Sequence, residues 1–141
     1  MGRNWIGFQP VSKPIDGDRI VVQETFVPVL PVSDLLQFLT TADGLSAWLA
    51  PVLRFSSRRG GDIDFADGSG AFTGTFSLLE IPNRITLITD RHGEIDARIR
   101  AGSNPVTCTV AVTCVAPRGD ESDAARLRSE TLLQQLKACI A

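Results

Sequence analysis

The sequence predicts an α+β fold in which a curved antiparallel sheet of six or seven strands surrounds a long C-terminal helix. Three observations indicate it. Short β-branched runs with alternating polarity recur between turn residues from position 52 to position 115, two short helical patterns follow the first strand, and one amphipathic helical pattern closes the chain. A single amphipathic helix must bury its apolar stripe, and the sheet offers the largest apolar surface. We therefore expect the helix to lie on the concave face of the sheet.

Length and composition fit one ordered domain. The chain has 141 residues, of which 43% are hydrophobic and 21% charged, and its net charge is -2. Residues 1–18 contain three turn signals and no sustained period, which predicts an irregular arm before a single domain at 19–141. The chain has no cluster of basic residues, so we expect no nucleic-acid partner. It has no long apolar stretch, so we expect no membrane insertion.

The first elements are a strand and two short helices. Residues 19–30 are β-branched and aromatic, which favours a strand, and Pro31 ends it. Ser33-Asp34 would cap a first helix, because apolar residues follow at helical spacing. A second amphipathic helix is predicted at 42–49.

A meander of about six strands follows. Turn residues near 60, 68, 82 and 92 separate short apolar runs, and segments 94–100 and 106–115 alternate strictly between apolar and polar residues. This alternation predicts a sheet with one buried and one solvated face. Asp120 or Ser122 would then cap the last helix, which runs to about Ile140 with its apolar positions on one stripe.

The cysteines favour a reducing compartment. Their number, three, is odd, and no apolar signal segment is visible near the N-terminus, so we expect a cytoplasmic protein. Cys108 and Cys114 lie six residues apart on one predicted strand, too far for a disulfide. We interpret them, and Cys139, as small buried apolar groups.

Three stretches carry a family likeness. Residues 31–49 open with Pro and continue with Leu-Thr, Gly-Leu and Trp-Leu pairs, Gly60-Gly61 precedes a strand, and the hairpin 74–89 contains Leu-Glu-Ile-Pro. This pattern resembles the helix-grip superfamily (START-like or Bet v 1-like, SRPBCC), and within it the branch of the activator of heat-shock protein 90 ATPase. The likeness spans about 19–140 but departs at Thr89, where relatives have Trp. It implies a cavity between the sheet and the C-terminal helix for lipids, hormones or polyketides, or, in some branches, contacts with a chaperone.

Aromatic and aliphatic side chains on the predicted inward faces could line such a cavity, and Ser129 could orient a ligand through its hydroxyl. The alternative is that they only fill the core. The predicted ligand-binding residues are Val22, Glu24, Phe26, Phe38, Trp48, Phe65, Phe72, Phe76, Leu87, Val110, Ser129, Leu132 and Leu136.

Catalytic and metal-binding patterns are weak. His92, the sole histidine, is predicted to be exposed at a hairpin tip, away from the cavity and without a partner to orient it, so we expect no catalytic residue. The acidic run 62–68 fails the spacing of a calcium loop, and we expect no metal and no cofactor. Glu24 lies on an inward face, where it could form an ion pair, for example with an Arg, or act as a cavity acid or base.

The sequence therefore favours a binding protein without catalysis, whose partner is a small apolar molecule of lipid-like or polyketide-like character. Two alternatives stay open. One is a co-chaperone-like module that contacts another protein through its surface. The other is an enzyme of the polyketide cyclase or hydrolase type that uses Glu24 and cavity water.

Overall fold

A computed structural model of the chain describes residues 20–102, 108–117, 119 and 123–140. The elements are, in order, β1 (Val21–Phe26), α1 (Val32–Thr40), α2 (Ala42–Trp48), β2 (Val52–Arg54), β3 (Asp62–Asp67), β4 (Gly70–Glu80), β5 (Arg84–Thr89), β6 (Gly93–Ala101), β7 (Cys108–Val115) and α3 (Asp123–Ile140). The predicted N-terminal arm, residues 1–18, lies outside the described residues.

The seven strands form one antiparallel sheet in the order β1-β7-β6-β5-β4-β3-β2. Strands β2 to β7 form a meander, and β1 pairs with the last strand, β7, at the edge of the sheet. The prediction of an α+β fold with two short helices after the first strand and one long C-terminal helix is confirmed.

The register places the apolar residues on one face. Val112 lies opposite Ala97 across β7 and β6, and Ala97 lies opposite Ile85 across β6 and β5. Because side chains alternate along a strand, the whole row lies on the buried face of the sheet, and each of these three residues is at most 3% exposed. Phe76 on β4 and Leu136 on α3 are both 0% exposed, and burial of each stabilises the fold by roughly 2–3 kcal/mol.

The helix starts differ in detail from the prediction. Helix α1 begins at Val32, with Pro31 as its N-cap, and it has no side-chain cap, so the prediction that Ser33-Asp34 caps it was wrong. The reason is local: the carbonyl of Pro31 already accepts the backbone N–H groups of Asp34 and Leu35 at 3.0 Å. The predicted caps of α3, Asp120 and Ser122, lie outside the described residues.

Helices α1 and α2 are joined through a single residue. Thr41 caps α2, since its hydroxyl accepts the Gly44 N–H at 2.9 Å and donates to the Gln37 carbonyl of α1 at 2.7 Å. The indole N–H of Trp48 donates to the Phe38 carbonyl at 2.7 Å. These bonds hold the two helices as one corner of the fold.

Candidate functional site

A cleft of about 680 Å³ opens at one end of the sheet, where the β3–β4 and β5–β6 turns face the first half of α3. We call it the hairpin-end cleft. Its lining residues are Leu49, Asp67, Ser69, Asp90, Arg91, His92, Pro117, Ala124, Leu127, Arg128, Thr131, Leu132 and Gln135.

The two sides of the cleft differ in chemistry. Leu127 of α3 contributes aliphatic surface, and Leu132 of α3 and Leu49 at the end of α2 lie nearly buried beneath it. Leu127 is 64% exposed. The turns opposite contribute carboxylates, an arginine and an imidazole. The cleft can therefore contact both the apolar and the polar part of one small molecule.

Arg91 holds the turn side in place. Its guanidinium donates to the Asp67 carboxylate at 2.6 Å and to the Gly70 carbonyl at 3.1 Å, and its Cζ lies 4.1 Å from the centroid of the Phe72 ring. The Asp67 carboxylate also accepts the Ser69 N–H at 2.9 Å. This bond, followed by the bond from Arg91, lowers the pKa of Asp67 below its ordinary value. The two turns are thus joined by charge-assisted hydrogen bonds.

His92 is buried in this wall, with 8% of its surface exposed. Its ring meets Phe72 edge-on at 5.4 Å, its backbone N–H donates to the Thr89 hydroxyl at 2.8 Å, and its Nδ1 has no hydrogen-bond partner among the described residues. Burial, and then the positive charges of Arg91 and Arg128, lower the pKa of His92 to about 4. The imidazole is therefore neutral at physiological pH.

The prediction that His92 is an exposed residue away from the cavity was wrong. The next residue, Gly93, has a φ of 74° and lies so close to the Val115 carbonyl that a Cβ would not fit. This close approach draws the hairpin tip inward against the end of β7, and the histidine is covered as a result.

Most of the predicted ligand-binding residues lie in the packed interior. Phe26, Trp48, Phe65, Phe72, Phe76, Leu87, Val110, Ser129 and Leu136 are at most 4% exposed, and Phe38 is half-buried. Leu132 lines the hairpin-end cleft, while Val22 and Glu24 line an adjoining groove of about 570 Å³ between β1 and α3, which shares Leu127 and Thr131 with the cleft. A hydrophobic interior cavity is not confirmed, and ligand contact by these thirteen residues stays a prediction.

Glu24 forms an ion pair at the rim of the sheet. Its carboxylate lies 3.4 Å from the ammonium of Lys137 on α3, and 31% of its side chain is exposed. Of the two alternatives for Glu24, this contact favours the structural ion pair, with a lysine as partner where an arginine was suggested.

The two cysteines of β7 are buried, as the sequence predicts. Cys108 and Cys114 are free and buried, and burial raises the pKa of Cys114 to about 12. Cys139 is only half-buried. Within the described ranges no group of three or more His, Cys, Asp or Glu residues is placed to hold a metal ion. No helix in that part of the chain has both the length and the apolar character needed to cross a membrane.

The turn residues that line the cleft were not among the site residues predicted from the sequence. A topological signal was available, because β7 ends at Val115 beside Gly93, where β6 begins. A helix that follows β7 must therefore start near the β5–β6 turn. The residues of that turn could have been placed beside the first half of α3 on this ground alone.

Comparison with known proteins gives the fold and no closer relation. The sequence matches no protein-family model and no curated protein. The structure is similar to the Aha1 dimer protein of Colwellia psychrerythraea, with a TM-score of 0.64 and 18% identity over 84% of this chain and 93% of that one.

Two further solved structures are similar. Protein BH1534 of Bacillus halodurans has a TM-score of 0.67 at 14% identity, over 88% of this chain and 99% of that one. DynU16, a putative protein in the dynemicin biosynthetic locus, has a TM-score of 0.63 at 16% identity, over 84% of this chain and 46% of that one. At these identities the likeness carries the fold and not the activity. The chain therefore has the helix-grip α+β fold.

Proposed function

We propose that this protein binds a small amphipathic organic molecule in the hairpin-end cleft, without catalysis. The observation that carries the proposal is the pairing of an aliphatic helix surface with a buried neutral histidine across one open cleft. An apolar part of the ligand would lie along the exposed Leu127. Its polar group would lie near His92.

The neutral imidazole suits this role. A neutral histidine offers one N–H donor and one acceptor without a net charge, so it can orient a hydroxyl, carbonyl or amide.

The interior contributes rigidity. Phe72 lies directly behind the cleft, stacked on Phe65 at 4.7 Å and in edge contact with His92. Since both phenylalanines are closely packed, the wall that carries His92 is held in one position. Preorganisation of this kind lowers the entropy cost of binding.

Fluorescence of Nile red, an uncharged hydrophobic dye, tests the proposal with the full chain. We expect saturable binding that Ala124→Trp abolishes, because the exposed Ala124 lines the cleft and not the groove between β1 and α3, and an indole there would occupy the cleft. The matched control is Ala138→Trp, which places the same side chain at an exposed position of α3 outside the cleft.

Equal loss of dye binding in both tryptophan variants, or dye binding that neither variant changes, would contradict the proposed site. Native mass spectrometry of the protein from its own source would then identify a co-purifying molecule. A second protein in place of a small molecule would favour the interaction role instead.

A further inference from the structure

The outer face of the sheet, opposite α3, carries an arrangement that the cleft does not explain. Asp96 on β6 points away from the core, yet it is only 4% exposed. It accepts hydrogen bonds from the Thr86 hydroxyl at 2.7 Å and from the Nε atoms of Arg84 and Arg98, each at 3.0 Å. Burial alone would raise the pKa of Asp96, but these three bonds outweigh it and the pKa lies below its ordinary value.

Arg84 and Arg98 are direct cross-strand partners on β5 and β6. Two like charges in such positions repel one another, and the carboxylate of Asp96 between them offsets the repulsion. Each guanidinium uses only its Nε for this contact. The terminal nitrogens of Arg98 have no hydrogen-bond partner in the described part of the chain.

Beyond Arg98 the face becomes a hollow. Arg98 lies opposite Ala111, which lies opposite Thr25, and Arg100 lies opposite Thr109 in the next row. Because Ala111 is small, a depression of about 420 Å³ forms above it, which we call the outer-face hollow. Its lining residues are Gln23, Thr25, Arg98, Ile99, Arg100, Thr109 and Ala111.

The charge of the outer-face hollow is one-sided. Two arginines line it, no carboxylate of a described residue does, and three further side chains offer an amide or hydroxyl donor. The nearest carboxylates, Asp96 and Glu94, line the adjoining depression, which shares Arg98 and Ala111 with the hollow. Arg100 is exposed and makes no hydrogen bond or ion pair with any described residue. Since the whole chain has a net charge of -2, this hollow differs in sign from the protein as a whole.

We propose that the outer-face hollow binds a phosphate group through Arg98 and Arg100. Planar guanidinium groups match phosphate oxygens in pairs of hydrogen bonds. A phosphate presents three peripheral acceptor oxygens, which suits a site with two arginines and several neutral donors better than a carboxylate does. Thr25, Thr109 and Gln23 supply those neutral donors. The phosphate belongs either to a soluble phosphomonoester or to a lipid headgroup.

Nuclear magnetic resonance of the full chain tests this. Inorganic phosphate is titrated at constant ionic strength, so that screening does not change during the experiment. We expect saturable shifts of the Thr25, Thr109 and Ala111 amide signals. Arg100→Gln should weaken the affinity about tenfold or more, since a charge-assisted hydrogen bond is lost. Arg100 is chosen because its replacement leaves the Asp96 contacts intact.

The matched control is Arg59→Gln, which removes the same charge from an exposed position in the β2–β3 connection. It should leave the affinity within about twofold. Shifts that grow linearly without saturation, or an equal loss in both variants, overturn the proposal.

Two further arms separate the sources of the phosphate. Phenyl phosphate stands for a soluble phosphomonoester, and phosphatidylcholine vesicles with and without phosphatidic acid stand for a membrane. Binding of either probe that Arg100→Gln reduces supports the site and names the source, whereas binding of neither overturns it. Because the outer-face hollow and the hairpin-end cleft lie on opposite faces of the sheet, failure here leaves the proposed ligand site untouched.

Discussion

Acidification should destabilise this protein well above the pH at which its carboxylates titrate. The cause is His92, whose pKa is lowered from 6.5 to about 4, first by burial and then by Arg91 and Arg128. In the unfolded chain the imidazole titrates at its ordinary value. Between these two values the unfolded state binds the proton and the folded state does not, so stability falls as the pH falls.

The size of the effect follows from the two proton affinities. Each tenfold difference in proton affinity corresponds to about 1.4 kcal/mol. At about pH 7.5 both states are neutral and the contribution is close to zero. At about pH 5 the unfolded histidine is almost fully protonated and the folded one is still mostly neutral, which lowers the free energy of unfolding by about 2 kcal/mol.

Urea unfolding at the two pH values measures this loss. For a domain of this size a loss of about 2 kcal/mol moves the midpoint by roughly 1 M urea. The control is His92→Gln, which keeps a polar side chain that does not titrate, and its midpoint should move much less. An equal loss of stability in the wild-type protein and in His92→Gln between the two pH values would show that His92 is not the cause.

Three further changes are expected to alter the free energy of unfolding, each measured by urea denaturation. Asp96→Asn removes the charge between two facing arginines and should cost about 2 kcal/mol, with part of the loss recovered in high salt; no loss would mean that the arginines do not repel one another. Gly93→Ala should cost about 2 kcal/mol or more because of its positive φ and close contact, whereas Gly68→Ala, in open space, should change little. Leu136→Ala, at 0% exposure, should cost about 2–5 kcal/mol, and Leu127→Ala, at 64%, less than about 0.5 kcal/mol.

The architecture could be predicted from the periodicity of the sequence, because one face of the sheet is solvated and the other is buried. Strict alternation along β6 and β7 fixes which side chains point inward, and the apolar stripe of α3 can be buried only against them. The same argument applied to β3, β4 and β7 predicts that Phe65, Phe76 and Val110 point inward, and all three are 0% exposed.

The candidate site was much less accessible to sequence reasoning. Its turn residues are polar and lie at hairpin tips. This pattern by itself predicts a solvent-exposed loop. Burial of His92 depends on α3 and on the close approach of Gly93 to the end of β7, and both are tertiary contacts between distant segments. Only Leu132 of the predicted ligand-binding residues lines the hairpin-end cleft.

The walls of the hairpin-end cleft come from parts of the chain that are far apart in sequence, as the Arg128 contact with the Arg91 carbonyl shows at 3.4 Å across 37 positions. A ligand in this cleft therefore contacts α3 together with the β3–β4 and β5–β6 turns. The affinity of a ligand can therefore be measured from the increase in melting temperature, since a ligand present at a hundred times its Kd stabilises the folded state by about 2.7 kcal/mol. A melting screen of candidate compounds therefore needs no assay of activity.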